Sequence, residues 1–515
     1  MKNITLTMIF ALFALSFGFA QEDEIEEPLE YPFGETGKPV PRGVFGSDDR
    51  KEVKDAEGIE DFVRATAVMI PKSSISGNRV YGQTLRQRLS RQFGVSNFDP
   101  NIRFLDQPTV AHCTGFLIAP DILVTAGHCI ETLDDARNYV WVFDYTSEVN
   151  FNEFIGYVEI DPNDVYEVSE VLSAYFQDLS TYTDYSVLKL DRKTSRAPYR
   201  FRTSGKVTFQ GGVSTIGSPT GLPLKYADNA VVVDNSPDKW FKNNIDGFPG
   251  NSGGPVFNPN GFIEGIHVRG AVELQDGRYT GDYKYDYNCN CVKTLQWQTS
   301  FGTAGSHAHR ITHIPYDMLH KALYENLEYA IMNNMPNRLN AWLVYSWILD
   351  HAYTNERGRL EFTAAYYNNT NALRAIMSRT NTVVRDGYGR TLLFNALDNN
   401  NMEMLVFLLD SGLSPNDTDD YGLTPVFHAM NKRNYGALYA LLDYGGNVYA
   451  SDSNGNTLLH LAARNGNLSL ISELLRLGAD ASSENYYGDR PEDIAKRYRY
   501  KSARKVLKKA RKRRR

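Results

Sequence analysis

Cysteine is scarce. Cys113, Cys129, Cys289 and Cys291 are the only four in 515 residues, so disulfides can staple this chain at one or two places but cannot build its fold. Long apolar runs are also lacking. The one substantial run, Ile4 to Phe19, follows Lys2 and ends with the small residues Gly18 and Ala20 before Gln21, after which comes Glu22-Asp23-Glu24. That order is the pattern of a secretory signal peptide over residues 1–20, and the shortness of the run argues against the alternative of a membrane anchor. No cysteine stands at the cleavage point to accept a lipid. The expected product is secreted or periplasmic, with no membrane span.

A large net charge is missing too, but the formal value of -6 hides an asymmetry. Residues 496–515 carry 13 Lys and Arg and no acid, which leaves 42 basic against 61 acidic groups elsewhere. An acidic body does not attract nucleic acid, so a nucleic-acid partner is not expected. Only the basic tail could draw one, and its Ala503, Val506, Leu507 and Ala510 also fit a last helix with solvated charges. What is present, 42% hydrophobic and 23% charged residues over this length, describes two or three globular domains.

Residues 21–57 begin with six acids in 21–30 and read as an acidic pro-segment or linker. Residues 58–322 have the texture of many short strands. Apolar runs such as Ala65–Ile70, Phe116–Ile118, Tyr139–Phe143, Ser186–Leu190 and Ile263–Val268 are separated by Gly, Pro, Asn and Asp, which predicts a sandwich or barrel. Helical spacing takes over after Pro315, giving a connector and a degenerate first repeat over 323–380. In 381–515 a period appears: Gly389, Gly422, Gly455 and Gly488 are 33 residues apart, as are Gly412, Gly445 and Gly478. That period, with runs such as Gly422-Leu423-Thr424-Pro425 and Gly455-Asn456-Thr457-Leu458-Leu459-His460-Leu461-Ala462, resembles the ankyrin repeat. The resemblance implies an all-α solenoid that binds an unidentified protein partner.

The chemistry-bearing motifs lie in the β-rich part. Ser252 sits in Gly250-Asn251-Ser252-Gly253-Gly254-Pro255. A hydroxyl becomes a nucleophile only beside a base, and the N–H groups of Gly250 and Ser252 would have to converge on the oxyanion. His128 sits in Leu123-Val124-Thr125-Ala126-Gly127-His128-Cys129, after Cys113-Thr114-Gly115-Phe116. Together these segments resemble the chymotrypsin-fold serine proteases, which implies a double β-barrel and peptide-bond hydrolysis without a cofactor. The resemblance also implies a Cys113–Cys129 disulfide. Asp184, in Thr183-Asp184-Tyr185-Ser186-Val187-Leu188, fits the third catalytic position just before an apolar strand, with Asp178 as a nearby rival.

Within that family, Asn251 before the serine and the run Val44-Phe45-Gly46-Ser47-Asp48-Asp49-Arg50 resemble bacterial glutamyl endopeptidases. HtrA-type proteases share the asparagine, but no PDZ-like region follows. In Gly265-Ile266-His267-Val268-Arg269-Gly270 the resemblance puts His267 in the primary pocket, where its imidazole would donate to a Glu or Gln side chain. Val268 and Gly270 would pair with the bound peptide. A histidine satisfied within the core is the alternative. Gly247, where the branch usually has a hydroxyl, departs from the pattern, and Arg269 could supply charge instead. Cys289-Asn290-Cys291 with His307-Ala308-His309 stays open between a local disulfide and a zinc site. An inactive scaffold carrying a binding solenoid is the competing function; the complete set of motifs argues for an active enzyme.

Overall fold

The computed structural model describes residues 48, 50–56, 58–59, 62–177, 183–269, 274–275, 278–279, 283–295, 305–350, 359–380 and 383–513. The expected signal peptide, residues 21–47 of the acidic segment, Asp178 and Gly270 lie outside the described residues.

The first sheet contains Thr66–Pro71 (β1), Cys113–Ala119 (β2), Ile122–Thr125 (β3), Tyr139–Phe143 (β4), Val165–Tyr166 (β5), Val168–Gln177 (β6) and Thr183–Leu190 (β7). Their order is β5-β4-β1-β2-β3-β7-β6, a half-open barrel. β2 and β3, at its centre, are apolar and β-branched and are buried along their whole length, as strands covered on both faces must be. The register fixes the site. β7 runs antiparallel to β3 with Ser186 opposite Thr125. The residues just past the end of β3 and just before that pair on β7 therefore share one end of the sheet, and those residues include His128 and Asp184.

The second sheet contains Gly212–Gly217 (β8), Lys225–Asp234 (β9), Trp240–Asn243 (β10), Pro255–Phe257 (β11), Ile263–Arg269 (β12) and Ser306–Arg310 (β13). It runs β9-β8-β11-β12-β13-β10, and β10 pairs back onto β9, so six strands close. Lys51–Glu52 adds to β9. Residues 50–56 belong to the stretch 21–57 expected as an acidic pro-segment or linker. Val53 and Ala56 are buried and Glu52 holds the buried Lys225 ammonium at 3.0 Å, so this end of the acidic segment is part of the folded body.

The helical part starts with Tyr316–Met332 (α1) and Pro336–Trp342 (α2), so α1 runs unbroken across the expected boundary at 322. Leu319, Leu323, Leu327 and Ala330 bury one face at helical spacing. Where the β2–β3 register shifts between Leu117 and Ala119, the fully buried Asn326 of α1 donates to the Ile118 carbonyl at 2.7 Å. Tyr345, farther on, takes a hydrogen bond from the Phe201 N–H and donates to the Phe201 carbonyl at 2.7 Å. The helices are thus hydrogen-bonded to the sheets at buried backbone groups. Asn326→Ala would strand the Ile118 carbonyl, at a cost of about 1–3 kcal/mol. The expected result is a melting temperature several degrees lower, read by thermal denaturation.

Five helix pairs follow: Leu360–Tyr366 (α3) with Thr370–Met377 (α4), Leu392–Asp398 (α5) with Met402–Asp410 (α6), Pro425–Asn431 (α7) with Tyr435–Asp443 (α8), Leu458–Asn465 (α9) with Leu468–Arg476 (α10), and Pro491–Arg497 (α11) with Lys501–Arg513 (α12). Asn369, Asn401, Asn434 and Asn467 each cap the second helix of a pair, accepting an otherwise orphaned N–H. The basic tail is α12 itself. Ala503 and Leu507 are buried and Arg511 pairs with Glu492 at 2.9 Å, so it is the closing helix of the last repeat. Among the described residues no helix is long and apolar enough to cross a membrane.

Candidate active site

At the shared end of β3 and β7 the Asp184 side chain is buried and holds His128 at two points. One carboxylate oxygen, Oδ1, accepts the His128 backbone N–H at 3.0 Å, and Oδ2 lies 2.8 Å from the ring Nδ1. The double contact fixes both the position of the residue and the direction of its ring. A proton on Nδ1 is thereby favoured and Nε2 is left as the acceptor. Asp178, the rival, lies outside the described residues. Phe176 of β6 meets the imidazole ring edge-on, with the ring centres 5.8 Å apart. Phe176 carried no signal in the sequence, because only its pairing opposite Asp184 brings it there.

Ser252 is half-buried on the turn between β10 and β11. Gly250 has φ +98°, and a Cβ there would sit 2.2 Å from the Ser218 carbonyl oxygen, so both the conformation and the space require glycine. Thr114 of β2 ties this turn to the other sheet. Its N–H donates to the Ser252 carbonyl at 2.8 Å, its hydroxyl donates to the Gly250 carbonyl at 2.7 Å, and its own carbonyl accepts from Thr125 at 2.7 Å. Cys113 and Cys129 are bridged beside it, with the Cys129 sulfur 3.8 Å from the Ser252 carbonyl oxygen. Among the described residues neither the Gly250 N–H nor the Ser252 N–H is used in a hydrogen bond. Both are available to an oxygen that gains negative charge. Among the described residues no hydrogen bond joins His128 to the Ser252 hydroxyl, and such contacts commonly tighten only when substrate is bound.

His267 is locked to the same turn, since Gly253 donates to its carbonyl at 2.7 Å and its own N–H donates to Gly254 at 2.8 Å. Its side chain is buried, and Nε2 lies 2.9 Å from the point where a Cβ on Gly247 would stand. Val268 falls at a bulge, where the β12–β13 register shifts between His267 and Arg269. Asp246 is buried six residues before Ser252. Its charge acts on the buried Arg50, whose guanidinium lies 3.9 Å from the Phe248 ring centre. Burial opposes the Arg50 charge, yet Asp48, then Tyr283 and Asp246, hold its pKa above the ordinary value.

Among the described residues His307 and His309 are not gathered with Cys289 and Cys291 into a metal-type cluster. Cys289 and Cys291 are bridged to each other. His307 packs against Trp240 at 4.8 Å, and His309 against Tyr185 at 5.3 Å. The open choice between disulfide and zinc resolves to the disulfide. The one cluster of metal-type side chains among the described residues is Cys113, His128 and Cys129, and its cysteines are bridged, so they have no thiolate to offer.

Burial lowers the pKa of His267 to about 4, that of His307 to about 4 and that of His309 to about 3. The folded chain therefore resists protons that the unfolded chain accepts near 6.5. Stability is then full above about pH 6.5 and falls as the pH drops through 4. Denaturant unfolding at a series of pH values should show that fall, and His309→Gln should reduce its slope between pH 6.5 and 4.

Comparison with known families agrees with these two architectures. Residues 113–266 match the trypsin-like peptidase domain, residues 360–452 match ankyrin repeats in three copies, and 454–486 match a further ankyrin repeat. A comparison with curated proteins returned no match. The chain thus carries a trypsin-like peptidase domain followed by helical ankyrin repeats. The first match supports a serine peptidase and the second a protein-binding module.

Proposed function

We propose that the protein is an exported serine endopeptidase in which His128, Asp184 and Ser252 are the catalytic triad, Gly250 and Ser252 form the oxyanion hole, and Glu or Gln is preferred before the scissile bond. The observation that carries the chemistry is the buried Asp184 held against both His128 nitrogens, backbone and Nδ1, beside a serine turn with two unused N–H groups. Ser252 Oγ attacks the scissile carbonyl while His128 Nε2 takes its proton. The carbonyl oxygen, now negative, is held by the Gly250 and Ser252 N–H groups. His128 returns the proton to the leaving amine, and the C–N bond breaks to give an acyl-enzyme. Water, deprotonated by the same imidazole, then releases the acid and restores Ser252.

The preference rests on His267. Neutral above about pH 4, its imidazole donates one hydrogen bond. The backbone of Val268 and Gly270 takes the substrate as an added strand. Exposed Tyr388, Tyr421 and Tyr487, at the same turn position of three of the 33-residue repeats, support a protein partner for the solenoid. The test is a peptide-library digest that reads the residue before each cut. Cuts after Glu or Gln should dominate, and His267→Ala should lower kcat/KM on Glu substrates about ten- to a hundredfold while sparing small neutral ones. Cuts mainly after Lys, Arg or large apolar residues would reject the preference.

A further inference from the structure

We infer that Ser306, on β13, supplies the hydroxyl of the primary pocket and is a specificity-determining residue for Glu or Gln side chains. The inference rests on the assignment of His267 to that pocket. A carboxylate has two oxygens, and one neutral imidazole donates to only one of them. A second donor is therefore needed, and the sequence leaves the expected position empty, because residue 247 is glycine.

The geometry explains the glycine. A Cβ on Gly247 would lie 2.6 Å from Ser306 Oγ and 2.9 Å from both Cε1 and Nε2 of His267. Two polar atoms from two different strands thus border the space that a side chain at 247 would fill. The register brings them there. His267 on β12 stands opposite Ala308 on β13. Ser306, two residues away and opposite Asn243 of β10, projects from the same face as Ala308. The hydroxyl is fully buried and donates to the Ile245 carbonyl at 2.8 Å, so it is held in place without a ligand. When an anionic or amide side chain enters, rotation about the Cβ–Oγ bond turns the hydroxyl's hydrogen bond from the Ile245 carbonyl to the ligand oxygen. A neutral hydrogen bond is exchanged for a charge-assisted one when the ligand is Glu.

The chain has therefore moved the hydroxyl from one wall of the pocket to the facing strand. A hydroxyl added at 247 while Ser306 is present would collide with it and with the imidazole. Gly247→Ser should therefore weaken the Glu preference.

The experiment compares kcat/KM for three peptides that differ only in Glu, Gln or Ala before the scissile bond. Active sites are counted by fluorophosphonate titration, so that only folded enzyme enters the rates. Ser306→Ala should lower the rate on Glu about tenfold and on Gln by less, with Ala unchanged within about twofold. Ser306→Cys, similar in size but a weak donor, should behave like Ser306→Ala and serves if that variant gives no titratable sites. A wild-type preference for Glu or Gln that persists in Ser306→Ala and Ser306→Cys would overturn this assignment alone. A wild-type enzyme indifferent to Glu and Gln would overturn the His267 reading, and this one with it.

Discussion

Ser252→Ala should reduce kcat by about 10⁴-fold or more while leaving the fold as it is. The Ser252 hydroxyl makes no hydrogen bond among the described residues, and what holds the turn is backbone and Thr114. Nothing structural is lost with the oxygen. The unchanged oxyanion donors of Gly250 and Ser252 should leave a small residual rate above that of water. Rates on a chromogenic peptide, with circular dichroism and melting as controls, measure this. A purified, folded variant with near wild-type activity would remove Ser252 from the mechanism.

Asp184→Asn should cost about 10⁴-fold in kcat through the proton's position rather than through structure. In the native chain both carboxylate oxygens accept, one from the His128 N–H and one facing Nδ1. An asparagine keeps one acceptor, and the backbone N–H claims it. The amide NH₂ then faces Nδ1 and forces that nitrogen to accept, so the proton moves to Nε2. An imidazole protonated on Nε2 cannot take the serine's proton. The imidazole ¹⁵N shifts of His128 should report the switched tautomer, and the melting temperature should change little. Activity within tenfold of wild type, with Nδ1 still protonated, would contradict the role given to Asp184.

Much of the fold was legible because its signals are local. The 33-residue glycine period reports a solenoid, and short apolar runs between turn residues report the barrels. His128, Asp184 and Ser252 each lie in a recognisable run of neighbours, so all three could be named without knowing what touches them. Thr114, Phe176 and Ser306 could not. Thr114 sits in the quoted Cys113-Thr114-Gly115 run, yet its role depends on the distant Ser252 turn. Phe176 becomes relevant only through its register with Asp184, and Ser306 only through the strand order β12-β13-β10. Gly247 read as a missing hydroxyl because sequence shows what a position lacks and not what fills its space. The acidic composition of 21–57 likewise masked Val53 and Ala56, two short apolar residues that a sheet edge suffices to bury. The buried Asn326 contact with Ile118 could not be inferred from the change of texture at Pro315, because a boundary in composition is not a boundary in packing.

The central claim is that Ser252 is an activated nucleophile, and the direct measurement is labelling by a serine-directed fluorophosphonate followed by peptide mass spectrometry. The account predicts one adduct per chain, on Ser252, formed rapidly by the native protein and lost in His128→Ala, whose serine is intact but has no base. Folded protein that remains unlabelled, or that is labelled at another serine while Ser252 stays free, would contradict it.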